Sequence, residues 1–166
     1  GRVATGLLEK SRGIIAEAFG ASGADLVFTG SATEAAALAC AGRDLQGSAI
    51  EHDAVRVWCG EQLTVDGEGA VNPSNPEAST LQLANSETGV VQTMPQGVAL
   101  SDMTQGFGNM PVTFSWSGAQ MALASAHKIG GPKGVGVLML RQGLDVDAQI
   151  KGGGQEMGRR SGTENL

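Results

Sequence analysis

Apolar residues recur along this chain with two different periods, and the changes from one to the other mark out its elements. Leu7, Leu8, Ile14, Ile15, Ala18 and Phe19 fall at the seven- and four-residue steps of one helical face. That spacing predicts an amphipathic helix over Thr5–Phe19, ended by Gly20 and Gly23. The short apolar run Asp25–Thr29, bounded by glycines, predicts a buried strand. In the following G-S-A-T-E-A-A-A-L-A-C-A, Ser31 stands three positions before Glu34, as in a capping box, and helix-favouring alanines follow. Further short strands are expected over Ser48–Glu51, Gln62–Asp66, Thr80–Ala84, Gly97–Leu100, Pro111–Trp116, Gln120–Ala126 and Val135–Arg141. Asp53 is placed to cap a short helix over Ala54–Cys59, and Asp145–Ile150 to begin another. Gly67–Ala78 reads as a loop, and the polar, glycine-rich tail Gly152–Leu166 as irregular.

Short buried strands alternate with helices in the first third, which predicts an α/β fold with a mostly parallel central sheet flanked by helices. A chain of 166 residues with 41% hydrophobic and 17% charged residues is a globular composition with enough length for a core. The net charge of −6 argues against a nucleic-acid partner, which needs a basic face. No apolar run approaches a membrane span, and Gly1–Lys10 lacks the order of a signal peptide. Cys40 and Cys59 have neither CxxC nor metal-ligand spacing, so they are expected as free thiols in a reducing compartment, with the cytoplasm as default.

The chemistry gathers where strands end. In A-L-A-S-A-H-K-I-G-G-P-K-G-V-G, from Ala122, an apolar strand brings Ser125, His127 and Lys128 to a glycine turn. A single lysine there is ordinarily a surface residue; a buried one has to be neutral or nucleophilic. The other polar groups, Ser31–Glu34, His52, Asn85–Glu87 and Asp102–Gln105, also follow strands, the place where open α/β sheets bind ligands. A lysine for an aldehyde, an aspartate for a pyridine nitrogen and a helix N-terminus for a phosphate together fit pyridoxal 5'-phosphate.

These segments resemble the large domain of the cysteine desulfurase family, in the class V aminotransferase group of fold-type I enzymes. The matching pieces are G-R-x-A-x-x-L-E-K-S-R at the start, F-T-G-S-A-T-E-A from Phe28, E-H-D-A-V from Glu51 and A-N-S-E-T-G-V-V-Q from Ala84. They continue with D-M-T-Q-G-F-G from Asp102, S-A-H-K-I-G-G-P-K-G-V-G from Ser125 and G-G-G-Q-E-M-G-R-R-S-G-T-E-N from Gly152. The resemblance implies Lys128 as the lysine that forms the aldimine and moves protons at the substrate Cα. It implies Asp102 at the pyridinium nitrogen, Gln105 at the phenolic oxygen and His52 over the ring face. Ala32 (through its backbone), Thr33, Ser125 and His127 would hold the phosphate. Thr163 would reach the phosphate of a partner subunit, implying a homodimer.

The pattern also departs from the family's. Ser86 stands where the family places a second asparagine against the cofactor ring, and the connection from Gln92 to Asp102 and the stretch before Asn85 are shorter. The expected organisation is one cofactor-binding large domain over 1–166, without the family's N-terminal segment or C-terminal domain. The thiol that accepts sulfur and the arginine for the substrate carboxylate lie, in the family, in that C-terminal part; neither Cys40 nor Cys59 matches the thiol's position. The implied reaction converts L-cysteine to alanine and passes sulfur to an acceptor protein, as in iron–sulfur cluster assembly. An aminotransferase or another lyase on the same scaffold, and a non-catalytic scaffold, are the competing readings.

Overall fold

The computed structural model of the chain describes residues 1–165. Helix α1 (Arg2–Ala18) starts three residues earlier than its apolar face predicts and carries no side-chain cap. Strand β1 (Asp25–Thr29) and helix α2 (Ala32–Cys40) follow as expected, and the Ser31 hydroxyl accepts a hydrogen bond from the Glu34 N–H at 3.1 Å. Two short strands, β2 (Gln46–Ser48) and β3 (Gly60–Leu63), lie earlier than expected and pair in parallel around the one-turn helix α3 (Asp53–Arg56). His52, not Asp53, caps that helix: its Nδ1 accepts the Ala54 N–H at 3.1 Å.

The central sheet is built from β1, β4 (Leu100–Asp102), β5 (Met121–Ser125) and β6 (Gly136–Leu140), in the order β1-β6-β5-β4. β4 and β5 are parallel, whereas β6 runs antiparallel to both β1 and β5. β1, β4 and β5 therefore share one direction, and β6 is inserted among them in reverse. The sheet is mixed, with a mostly parallel set of directions. Residues 79–83 form no regular strand but join its far edge to the smaller sheet. Leu81 and Leu83 donate to Leu100 O and Asp102 O at 3.0 and 2.9 Å, and Thr80 donates to Gln46 O at 2.8 Å.

Strict alternation divides the core into two halves. Val27, Leu100, Met121, Leu123, Leu138 and Leu140 face the apolar side of α2, together with Ala35, Ala36, Leu38 and Ala39. Leu26, Ala122, Ala124, Val137 and Met139 face the other way, onto Phe19, Leu81, Val98, Phe107 and Phe114. The rings of Phe19 and Phe107 stack there, 4.0 Å between centroids.

Besides the strand expected over Thr80–Ala84, two further expected elements are absent. Pro111–Trp116 is not a strand but ends in a 3-10 turn, Phe114–Trp116, whose backbone bonds to Phe19 O and Gly20 O after α1. Phe114 is buried and Trp116 is 85% exposed, so the alternation that resembled a strand is an anchor beside a free ring. Asp145–Ile150 forms no helix; Asp145 instead accepts Arg159 Nε at 2.7 Å. The tail is irregular as expected, yet firmly attached. Glu156 is buried against Arg12 and the Phe28 N–H, and Arg160 pairs with Glu34 at 2.7 Å. Among the described residues, no helix is long and apolar enough to cross a membrane.

Candidate functional site

A cavity of about 350 Å³ opens where β4, β5 and the residue 79–83 segment end and α2 begins. Ala32, Thr33, His52, Ser86, Asp102, Gln105, Ser125, His127 and Lys128 all line it. Of the residues singled out from the sequence, Thr163 alone lies elsewhere, lining a separate cavity of about 390 Å³ with Leu7, Gly30 and Arg160.

Each wall has a local cause. At one end stands the N-terminus of α2, whose Ser31 cap leaves the backbone N–H groups of the first turn pointing outward, a setting suited to an anion. β6 packs tightly behind it at Gly136, where an added Cβ would lie 2.6 Å from Ser31 O and 2.8 Å from Ala32 N. Ser125 is buried at the end of β5, and its Oγ shares a 2.7 Å hydrogen bond with His127 Nδ1. The chain then makes a 3-10 turn, Ala126–Ile129, and leaves through Gly130 at φ +82°, a left-handed conformation natural to glycine. Lys128 is carried on this turn. It is exposed at the rim of the cavity rather than buried at a strand end, which corrects the sequence-based picture.

The floor is acidic. Asp102 ends β4 and lies open to the cavity but away from bulk solvent; its Oδ1 accepts the Thr104 N–H at 2.9 Å. Burial pushes its carboxyl above the ordinary range, against the hydrogen bonding from Thr104 and the nearby His52. A cation placed on Asp102 would oppose that shift by favouring the charged carboxylate. His52 sits opposite, exposed at the start of α3. Because its Nδ1 is occupied by Ala54, Nε2 is the nitrogen available to a ligand. Asn85 shapes the turn that presents Ser86: its Oδ1 accepts the Glu87 and Thr88 N–H groups at 2.9 and 2.8 Å.

Sequence reasoning did not single out Gln82 and Thr104, which also line the cavity, or Glu51, buried behind it. The legible signal for Glu51 was a carboxylate at the end of an apolar run. Cys40 is buried and Cys59 half-buried, both free, and neither lines the cavity. Their mutual hydrogen bond and burial push the Cys40 thiol far up. Among the described residues, no cluster of His, Cys, Asp and Glu is arranged to hold a metal ion.

The Aminotransferase class-V family matches residues 68–165. The cysteine desulfurase IscS of Dictyoglomus turgidum is 32% identical over all of this chain and 51% of its own length. The cysteine desulfurase IscS 1 of Archaeoglobus fulgidus is 34% identical over 96% of this chain and 51% of its own. The former alignment runs over 201 positions, more than the 166 residues here, so that relative carries extra residues within the matched span. Among solved structures, a NifS-like protein from Rickettsia africae superimposes with a TM-score of 0.87 at 31% identity, covering 99% of this chain and 55% of that one. SspA in complex with cysteine gives a TM-score of 0.83 at 26% identity, over 98% and 58%. The chain spans about half the length of the curated relatives it matches. It belongs to the Aminotransferase class-V family, and its relatives there are cysteine desulfurases.

Proposed function

We propose that this chain is the pyridoxal-phosphate-binding portion of a cysteine desulfurase, acting on L-cysteine. The observation that carries the reading is the convergence of Lys128, Asp102, His52, Gln105 and the α2 N-terminus on one cavity. The residues fit the cofactor: a cavity with a desolvated carboxylate on its floor, an anion-seeking helix end on one wall and an exposed amine at its rim. When bound, pyridoxal phosphate supplies an aldehyde for amines and a ring that accepts electron density from the substrate Cα.

Lys128 would supply the amine that holds the cofactor and then move the proton at the substrate Cα. Asp102 would hold a proton on the ring nitrogen through a buried ion pair. His52 would lie against the ring face, and Gln105 and Ser86 would contact its polar edge. The Ala32 N–H, Thr33, Ser125 and His127 would hold the phosphate. Overall, L-cysteine and a thiol would give alanine and a persulfide, with sulfur passing from the cysteine Cβ to the attacking thiolate. Cys40 and Cys59 lie outside the cavity, so the thiol comes from elsewhere in the assembly. Thr163, which lines the other cavity, would serve the site of a second copy in a homodimer. Free thiols and persulfide chemistry favour a reducing compartment such as the cytoplasm, and iron–sulfur cluster assembly is one destination for the sulfur.

Incubation with pyridoxal phosphate should give a visible absorption band, and borohydride reduction should fix the added mass on the peptide containing Lys128. Lys128→Ala should show neither. Adduct on another lysine, or a band that survives Lys128→Ala, would overturn the reading. On the longest natural chain, alanine and sulfide should appear together from L-cysteine.

A further inference from the structure

Glu51 has no part in the chemistry described above, yet it is 5% exposed and directly precedes His52. Its Oε1 accepts the Gln82 N–H at 2.9 Å and the Thr80 hydroxyl at 3.3 Å. Its Oε2 is buried and has no partner among the described residues. Ile50 is held to the same segment, its carbonyl accepting Asn85 Nδ2 at 3.1 Å and also Gln82 Nε2. The Glu51 N–H closes the turn onto Ser48 O at 3.2 Å. Residues 48–51 are thus tied at several points to residues 80–85, whose own backbone is bonded to Asp102 O through Leu83. His52 is the next residue, and among the described residues the only hydrogen bond of its ring is to the Ala54 N–H.

We infer that Glu51 is a positioning residue: its carboxyl locks the 48–51 turn to the segment beside Asp102 and so sets where the His52 ring lies over the cavity. The inference rests on the cofactor reading for its catalytic meaning, but its geometry stands without the cofactor. Burial and the neighbouring Asp102 push the Glu51 carboxyl up to about 8. At neutral pH it therefore acts as an uncharged acceptor, with Oε1 taking the Gln82 N–H and the Thr80 hydroxyl. An apolar residue of the same length would fill the space but leave the Gln82 N–H buried without a partner. That demand explains a carboxyl at a position enclosed like a core residue.

The test compares wild type with Glu51→Gln, Glu51→Ala and Glu51→Met. Glutamine keeps an oxygen for Gln82 and Thr80; alanine and methionine remove it, and methionine keeps the volume. The first readout is the His52 ring resonances by NMR in cofactor-free protein, simplified because the sequence has only two histidines. The second is the induced circular dichroism of added pyridoxal phosphate. The alanine and methionine variants should move the His52 signals towards those of a free imidazole and at least halve the induced dichroism. Glutamine should restore both. Folded alanine or methionine variants with wild-type His52 signals would overturn the inference. So would a glutamine variant displaced as far as alanine, or failure of both apolar variants to fold, which would make Glu51 a requirement of the fold alone. If wild type binds no cofactor but His52 responds as expected, the cofactor reading fails and the positioning role stands.

Discussion

Glu156 provides a sharp test of how the tail is held. Its side chain is fully buried and accepts Arg12 Nη1, Arg12 Nη2 and the Phe28 N–H, each at 2.8 Å. Arg12 is also enclosed: Nη1 donates to Leu26 O at 2.8 Å, and the guanidinium lies 4.7 Å from the Phe28 ring centroid. Glu156 and Met157 sit at φ 48° and 57°, a left-handed conformation that costs energy outside glycine and persists only where the surroundings hold it. Glu156→Ala would leave Arg12 with Glu9 as its remaining carboxylate partner, and the Phe28 N–H without an acceptor. Breaking one side of a buried pair costs about 3–5 kcal/mol, and an orphaned N–H about 1–3 kcal/mol. The two overlap, because one carboxylate serves both, so about 4 kcal/mol in total is expected. Urea unfolding of wild type and Glu156→Ala measures the loss. The double variant Arg12→Met/Glu156→Leu should recover the part due to the broken pair but not the part due to the orphaned Phe28 N–H, since apolar packing can replace a buried pair but offers no acceptor. A loss below about 1 kcal/mol, the range of an exposed ion pair, would refute a tail docked through this carboxylate.

Gly136→Ala should force the first turn of α2 away from β6, because the new Cβ would press on Ser31 and Ala32 backbone; about 1–3 kcal/mol of stability should be lost. Binding of pyridoxal phosphate should weaken with it, and unchanged binding would show that this close approach does not shape the anion end. Ser31→Ala should cost about 1 kcal/mol through loss of the cap, read by thermal or urea unfolding. Glu51 titrates at about 8 in the folded protein, above its ordinary 4.5. Its stabilising contribution is complete below the lower value and lost as pH rises through the upper one, by about 5 kcal/mol at most. Glu51→Gln should therefore gain stability relative to wild type between pH 5 and pH 9, and parallel pH profiles would refute a buried, protonated Glu51.

The site was more legible in the sequence than the sheet around it. Residues such as Asp102, Ser125 and His52 announce themselves because polar groups at the ends of apolar runs have few structural reasons to be there. The sheet hides its directions: Val135–Arg141 alternates in the same way whether β6 is parallel or antiparallel, so its reversal between β1 and β5 left no mark. Pro111–Trp116 misled for a related reason. Phe114 and Trp116 sit two apart, as on one face of a strand, but one is buried and the other exposed, and their neighbours bond to the end of α1. The tail is irregular as its composition predicts, but its attachment left no mark in the sequence. Gly152–Leu166 has the composition of a free loop, but Glu156, Arg159 and Arg160 find partners more than a hundred residues away or on a distant turn, at Arg12, Asp25, Asp145 and Glu34. Local composition cannot report such pairings.

Those tail pairings also bear on how the two cavities are related. Glu34 accepts the Gly30 N–H at 2.8 Å just before the α2 cap, and also binds Arg160, three residues before Thr163. The same carboxylate therefore braces the helix end that walls the cavity holding Asp102 and Lys128 and anchors the turn that lines the other. Arg160→Met would free the Thr163 turn while leaving the Ser31 cap and the Glu34–Gly30 bond intact. If Thr163 serves a second copy's phosphate, that variant should bind pyridoxal phosphate more weakly in the dimer. Dissociated subunits, which have only their own α2 end, should be affected little. Equal weakening in both, measured by cofactor titration across protein concentration, would place the effect within a single subunit and refute the shared site.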